Sequence, residues 1–320
     1  MTMPFKHFPL RLRALIAALV IFSPLEANAT PVHDAILRND LAAIRALISS
    51  NPALLTAEDP GSGGSPLRIA ALLGNVPIIE LLIESGANIN ATDSTGETPL
   101  HAAAGNEGYP DTKDAILFLL SHGANINATN TKNGVNPLHR VAARAKPEIV
   151  SLLISRGAAI NARDSTGATP LHATIERGFR PQKAIVELLV SNGADVNAVD
   201  IVGYTILHKL ALLRIGYTWA EIRRGSGSTF DDFRTSVADT IATTDYLISR
   251  GAQVNARSVD GLTPLHFAGS TDKGELVSLL IRRGADINAK DKFDRTPLKF
   301  AIDSRSVEAV SILRQSGASE

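Results

Sequence analysis

One four-residue pattern recurs along the chain and constrains its fold more than any other feature. Thr98-Pro99-Leu100-His101 is repeated at residues 169–172 and 263–266, and five close variants occur elsewhere. Its second position, isoleucine in one copy and proline in the others, falls at residues 31, 66, 99, 137, 170, 206, 264 and 297. The shortest spacing is 33 residues. Such a period predicts similar units that stack and bury a shared core.

Each unit carries signals for two helices. Proline suits the first turn of a helix because it needs no backbone donor there, and the threonine before it is a good N-cap. The short first helix is rich in alanine, whereas the second carries larger apolar residues such as Ile78 and Leu82. The second helix ends at a recurrent glycine, as at Gly86. Glycine adopts the left-handed conformation of a helix end without steric cost.

This pattern resembles the ankyrin repeat. The resemblance extends over residues 30–320 and implies an all-α repeat solenoid of about eight stacked repeats, each a helix-turn-helix plus a β-hairpin finger. It also implies that the tetrapeptide histidines form hydrogen bonds between repeats, and that a partner protein binds the concave groove and the fingertips. The repeats are predicted to start near residues 30, 65, 98, 136, 169, 205, 263 and 296.

The first residues have the layout of a secretory signal peptide. Cationic residues precede an apolar run at 14–22, and Ala27-Asn28-Ala29 supplies a small-x-small cleavage site. The pattern predicts a signal peptide at residues 1–29 that is cleaved between Ala29 and Thr30. An uncleaved anchor or a buried helix is the alternative. We expect a periplasmic or secreted protein without a stable membrane anchor after cleavage.

Composition and motifs argue against several function classes. Lys+Arg and Asp+Glu both number 32, whereas nucleic-acid binders need a basic surface. The chain has no cysteine, which excludes thiolate catalysis and cysteine-ligated zinc. Six of the eight histidines occur once per repeat, about 10 Å apart, too far to share a metal ion. We therefore expect a monomer that binds another protein, with no nucleic acid, no enzyme activity, no cofactor and no metal.

The sixth repeat departs from the period. An insertion at residues 214–240 is predicted to extend its two helices to 206–223 and 229–249. One interpretation is a projecting edge of aromatic residues that assists binding, and the other is a hairpin that packs on itself. The candidate aromatic residues of this edge are Tyr217, Trp219, Phe230 and Phe233.

Apolar residues also replace polar ones at the later fingertips. An exposed apolar stripe favours partner binding, although these residues could instead fold inward against neighbouring fingers. Function is predicted to be that of an exported interaction scaffold, with a secreted effector that binds a host-cell protein as the alternative. An enzyme in the insertion is disfavoured because residues 211–248 contain no His, Cys or Lys. The predicted stripe consists of Ile201, Val202, Tyr204, Val259, Leu262 and Phe293.

Overall fold

The computed structural model describes most of the repeat region. It describes residues 30–59, 61, 63–106, 112–144, 147–175, 182–213, 230–271 and 273–319. In the helix that begins at Phe230, side chains are described from residue 237 onward. The predicted signal peptide lies outside the described residues, as does the 214–229 part of the insertion. The chain divides into two compact units between Lys132 and Asn133.

The described part of the N-terminal unit is built from successive helix pairs. Within this unit, the first helix of each pair packs on the first helix of the next pair, and second helices pack on second helices. Each helix pair therefore contributes one layer to the core. The pairs are α1 (Pro31–Leu37) with α2 (Leu41–Ser50), α3 (Pro66–Leu73) with α4 (Val76–Glu84), and α5 (Pro99–Gly105) with α6 (Thr112–Ser121); a 3₁₀ helix at Pro52–Thr56 follows α2.

The C-terminal unit has the same internal arrangement. Its first helices again pack on one another, as do its second helices. We refer to the first helix of a pair as the inner helix and to the second as the outer helix. The pairs are α7 (Pro137–Ala142) with α8 (Pro147–Ser155), α9 (Pro170–Ala173) with α10 (Lys183–Ser191), α11 (Ile206–Leu212) with α12 (Phe230–Ser249), α13 (Pro264–Ser270) with α14 (Gly274–Arg282), and α15 (Pro297–Asp303) with α16 (Val307–Gln315).

Helix ends follow the sequence signals. At the start of α5, the Thr98 hydroxyl accepts a hydrogen bond from the His101 backbone N–H, and Pro99 is the first helical residue. After α4, Gly86 has a φ of +97°, and a Cβ added there would meet nothing within 4 Å. The glycine is therefore needed for its left-handed backbone rather than for space.

The core is mainly aliphatic, since only 5% of the residues are aromatic. The third residue of every tetrapeptide, valine in the first copy and leucine in the others, is buried, as are aliphatic residues of the outer helices. Leu138 of α7 and Leu153 of α8, for example, are both fully buried. The all-helical architecture predicted from the repeat is thus present throughout the described residues.

The fingers between repeats differ from the predicted β-hairpins, because no strand is formed in the described ranges. Several fingers are tight turns whose backbone N–H groups donate to one aspartate carboxylate. In the finger before α11, the Asp200 carboxylate accepts hydrogen bonds from the backbone N–H groups of Val202 and Tyr204. Neighbouring fingers share single backbone bonds, such as Val259 N–H to Val202 O at 3.0 Å. A single bond joins the fingers without generating a strand ladder.

The sixth helix pair is only partly as predicted. Helix α11 ends at Leu212 instead of continuing toward residue 223, and residues 214–223 lie outside the described part. Helix α12 begins at Phe230, one residue after the predicted start, and ends at Ser249 as predicted. Aligned on its terminal glycine, Gly251, the ordinary outer helix corresponds to residues 241–249, so the added turns lie at the N-terminal end of α12. Although α12 has 20 residues, none of the described helices combines the length and apolar character needed to cross a bilayer.

Candidate protein-binding surface

The tetrapeptide histidines connect consecutive repeats. In α13 the backbone N–H of Thr263 donates to His266 Nδ1 at 3.0 Å, and His266 Nε2 lies 3.0 Å from the carbonyl oxygen of Arg295 in the next finger. These partners fit a neutral imidazole protonated at Nε2. His208 makes the same bonds to Thr205 and to the Leu262 carbonyl. The histidines therefore serve as connections between repeats, as the resemblance implied.

Burial keeps these histidines neutral. Desolvation lowers the pKa of His208 from 6.5 to about 4, although its hydrogen bonds to backbone carbonyls favour the charged form. Desolvation likewise lowers the pKa values of His33, His139, His172 and His266. Within the described ranges, no three His, Asp or Glu side chains are grouped as a metal site would require. The expectation that no metal is bound stays a prediction.

A row of asparagines binds the fingers to the ends of the following outer helices. Asn161 Nδ2 donates to the Gly193 carbonyl at 3.1 Å, and its Oδ1 accepts from the Asp195 N–H at 2.9 Å. Asn197 and Asn255 bond the following repeat in the same way. Each finger is thereby fixed to the end of the next outer helix, and its tip has a defined position.

Four residues of the predicted stripe are exposed. Ile201 is 69% exposed, Val202 45%, Val259 75% and Phe293 62%. They lie at the tips of three successive fingers, which the Val259-to-Val202 bond and a bond from the Lys292 N–H to the Asp260 carbonyl connect. We call Ile201, Val202, Val259 and Phe293 the finger surface.

The other two residues of the stripe are not exposed in this way, which corrects the prediction. Leu262 is 7% exposed and belongs to the core. Tyr204 is half-buried, and its ring stacks on His208 at 5.5 Å and contacts the edge of Phe267 at 5.2 Å. Both residues directly precede the N-cap threonine of an inner helix. Their carbonyls accept the hydrogen bond of the preceding repeat's histidine, so their side chains lie where the chain returns to the core.

The side chains of the predicted aromatic edge lie outside the described part of the structure. Tyr217 and Trp219 lie outside the described residues. Phe230 and Phe233 occupy the first turn of α12, where only the helical backbone is described.

Charged residues border the finger surface at Phe293. Lys292 Nζ and Arg295 Cζ each lie 5.0 Å from the centre of the Phe293 ring. Lys292 also pairs with Asp260 at 2.5 Å, and Arg295 pairs with the buried Asp291 carboxylate at 2.7 Å. An exposed aromatic ring is therefore surrounded by cations that are themselves held in place, which suits a partner with both apolar and polar groups.

Two arginines that the sequence analysis did not single out brace the fingers. Arg163 Nη1 donates to the Val199 carbonyl of the next finger at 2.5 Å. Arg257 Nη2 donates to the Lys290 carbonyl in the same manner. Both arginines follow an Asn-Ala pair and occupy the same position of the repeat. Alignment of the finger sequences on this Asn-Ala pair could have identified both arginines from the sequence.

Comparisons with known proteins agree with this architecture. A family model described as "Ankyrin repeats (3 copies)" matches the greater part of the chain, and the chain belongs to the ankyrin repeat family. The matched segments are residues 13–93, 32–130, 111–200 and 236–319. Ankyrin repeats are in general non-enzymatic scaffolds that bind other proteins.

Individual relatives share only part of their length with this chain. Glycerophosphocholine phosphodiesterase gde1 of Schizosaccharomyces pombe is 33% identical over 47% of this chain and 13% of its own. B-cell lymphoma 3 protein homolog of Mus musculus is 27% identical over 49% of this chain and 43% of its own length. Ankyrin repeat and SOCS box protein 3 of Homo sapiens is 33% identical over 46% of this chain and 28% of its own length. The chain thus spans less than half the length of each of these relatives.

Proposed function

We propose that the chain is an exported scaffold of eight ankyrin repeats that binds a partner protein through the finger surface and the adjoining inner-helix face. The exposure of four apolar side chains at the tips of successive fingers carries the proposal. Contiguous apolar groups on a soluble protein more often mark an interaction site than an accident of packing. The family's general role in protein binding supports the same conclusion.

The fingers are suited to present such a surface. Backbone bonds between neighbouring tips and the bonds from Asn197 and Asn255 fix their spacing. A preorganised surface loses little conformational entropy when a partner binds. Phe293 provides an aromatic anchor, a residue type enriched in interface cores, and Lys292 and Arg295 provide polar groups at its rim.

Replacing Val259 and Phe293 by serine is expected to weaken partner binding by about tenfold or more, with little change in the free energy of unfolding, because both side chains are largely exposed. The partner is first isolated by affinity capture from the native cell envelope with the parent protein. Its affinity for parent and variant is then measured by titration. Val307→Ser is the matched control, since Val307 is 79% exposed on outer helix α16, away from the fingers. Equal losses of affinity in control and variant, or none in the variant, contradict the proposal.

Export is a separate part of the proposal. The signal-peptide pattern of residues 1–29 supports it. Expression of the full chain is expected to yield a product that begins at Thr30, which N-terminal sequencing of the exported protein checks. A product that keeps residues 1–29 favours the anchored alternative. Fractionation into periplasm and medium then separates the periplasmic scaffold from the alternative, a secreted effector that binds a host-cell protein.

A further inference from the structure

Helix α12 buries hydroxyl groups where other outer helices bury hydrocarbon. When outer helices are aligned on their terminal glycines, Thr243 and Thr244 of α12 correspond to Ile185 and Val186 of α10, and all four are buried. The buried leucine four residues before the glycine is retained as Leu247. The helix therefore keeps the register of the family but loses part of its apolar face. In α4, α8 and α14 the same two positions hold Ile78 and Ile79, Ile149 and Val150, and Leu276 and Val277.

The two hydroxyls differ in their hydrogen bonds. Thr244 Oγ1 donates to the Thr240 carbonyl at 2.8 Å, one turn earlier in α12. Thr243 is fully buried, and its Oγ1 has no partner among the described residues. A buried hydroxyl that gives up its bonds to water without replacing them destabilises the folded state. Thr243 therefore weakens the attachment of α12.

The inner helix of the same pair depends on a buried ammonium group. Lys273, 8% exposed, occupies the N-cap of α14, and its Nζ donates to the carbonyls of Leu210, Ala211 and Leu213 at the end of α11. In the described part of the chain no carboxylate pairs with it. Burial lowers the pKa of Lys273 to about 8. Its three hydrogen bonds to helix carbonyls offset part of the cost of taking this ammonium group out of water, so the end of α11 depends on a contact with the following repeat.

Beside α12 lies an open surface groove of about 650 Å³, with Ile241 of α12 and Leu279 of α14 among its lining residues. The Arg283–Asp245 ion pair bridges the two helices at 2.6 Å, and both side chains are about two-fifths exposed. Exposed ion pairs contribute little to stability. The ion pair on this side of α12 therefore adds little to offset the buried hydroxyls.

We propose that the pair α11–α12 unfolds locally while the helix pairs on both sides of it remain folded. In a repeat protein stability is a sum of terms for units and for neighbouring interfaces, so a deficit in one pair stays localised. Such low-stability segments open below the free energy of global unfolding. Because Val202 and Val259 flank this pair, opening separates the two halves of the finger surface. That consequence for binding rests on the proposed function, whereas the opening itself does not.

Native-state hydrogen exchange of the full chain without a partner tests the opening. The backbone amides of Thr244 and Leu247 in α12 are expected to exchange about tenfold or more faster than those of Val186 and Leu189 in α10. Thr243→Val keeps the shape of the side chain and removes the unpaired hydroxyl. This variant is expected to slow exchange in α12 about tenfold and to leave α10 unchanged.

The matched variant Ile185→Thr places a hydroxyl at the same position of α10. Exchange in α10 is expected to become about tenfold faster, with α12 unaffected. Equal exchange of α10 and α12 in the parent, or equal slowing of every helix by Thr243→Val, means that the C-terminal unit opens only as a whole, and it overturns the proposal. Because no partner enters these measurements, failure of the finger-surface variants leaves their interpretation unchanged.

Discussion

Acidification from pH 7 to 5 is expected to lower the free energy of unfolding by about 2 kcal/mol or more, because buried histidines connect the repeats. The pKa of each of five such histidines is lower in the folded protein than the ordinary 6.5. The unfolded chain therefore binds more protons between the folded pKa and 6.5, and stability falls as the pH decreases through that interval. For His208, with a folded pKa of about 4, the loss reaches about 3 kcal/mol when the pH has fallen to its folded pKa.

Urea unfolding at pH 7, 6 and 5 measures this dependence before most carboxylates titrate. His208→Gln is expected to be less stable than the parent at pH 7, because the hydrogen bonds to Thr205 and Leu262 are lost, but to show a shallower decline toward pH 5. His122→Gln, at an exposed position, is the control variant. A parent protein with constant stability from pH 7 to 5 would show that the histidines are not held neutral.

The helix pairs could be read from the sequence because their signals are local. Proline, an N-cap threonine and a terminal glycine each act within a few residues, as at Thr98, Pro99 and Gly86. The same holds for the start of α12, predicted at residue 229 and found at Phe230. Repetition strengthens such signals because every copy provides an independent reading of the same structure.

Features that depend on the next repeat were not visible in this way. Helix α11 was predicted to extend to residue 223, yet it ends at Leu212, where the ammonium group of Lys273 from the following repeat binds its last carbonyls. Similarly, Leu262 looked like an exposed fingertip, but its carbonyl accepts the hydrogen bond of His208, and its side chain enters the core. Contacts between repeats decided both cases.

The finger surface combines both kinds of information. Its apolar residues stood out because they replace small polar residues found at earlier tips. Their exposure, however, depends on position within the turn, since Val202 projects whereas Tyr204, two residues later, stacks on His208. A change from an exposed to a half-buried side chain within one short turn cannot be predicted from apolar character alone. Comparison of equivalent finger positions would have separated the tip residues from those that return to the core.

Gly203→Ala is expected to destabilise the protein by about 2–4 kcal/mol, several times more than alanine at a helix-terminating glycine. Gly203 lies at a fingertip with a φ of +80°, and an added Cβ would lie 2.8 Å from the backbone nitrogen of Val259. That nitrogen belongs to the bond with Val202 that joins the fingers. Because the obstructing atoms are backbone, relief requires the two fingers to move apart, in addition to the cost of the left-handed conformation.

Gly251→Ala is the matched variant for this prediction. Gly251 has a φ of +93°, but nothing lies within 4 Å of an added Cβ, so alanine there has only the conformational cost of about 1 kcal/mol. Urea unfolding of both variants gives the difference directly. If the two losses are equal, close approach of the fingers contributes nothing measurable, and the glycine at the tip serves only its backbone conformation. A larger loss at Gly203, accompanied by weaker partner binding, shows that the spacing of adjacent fingers determines both stability and the geometry of the finger surface.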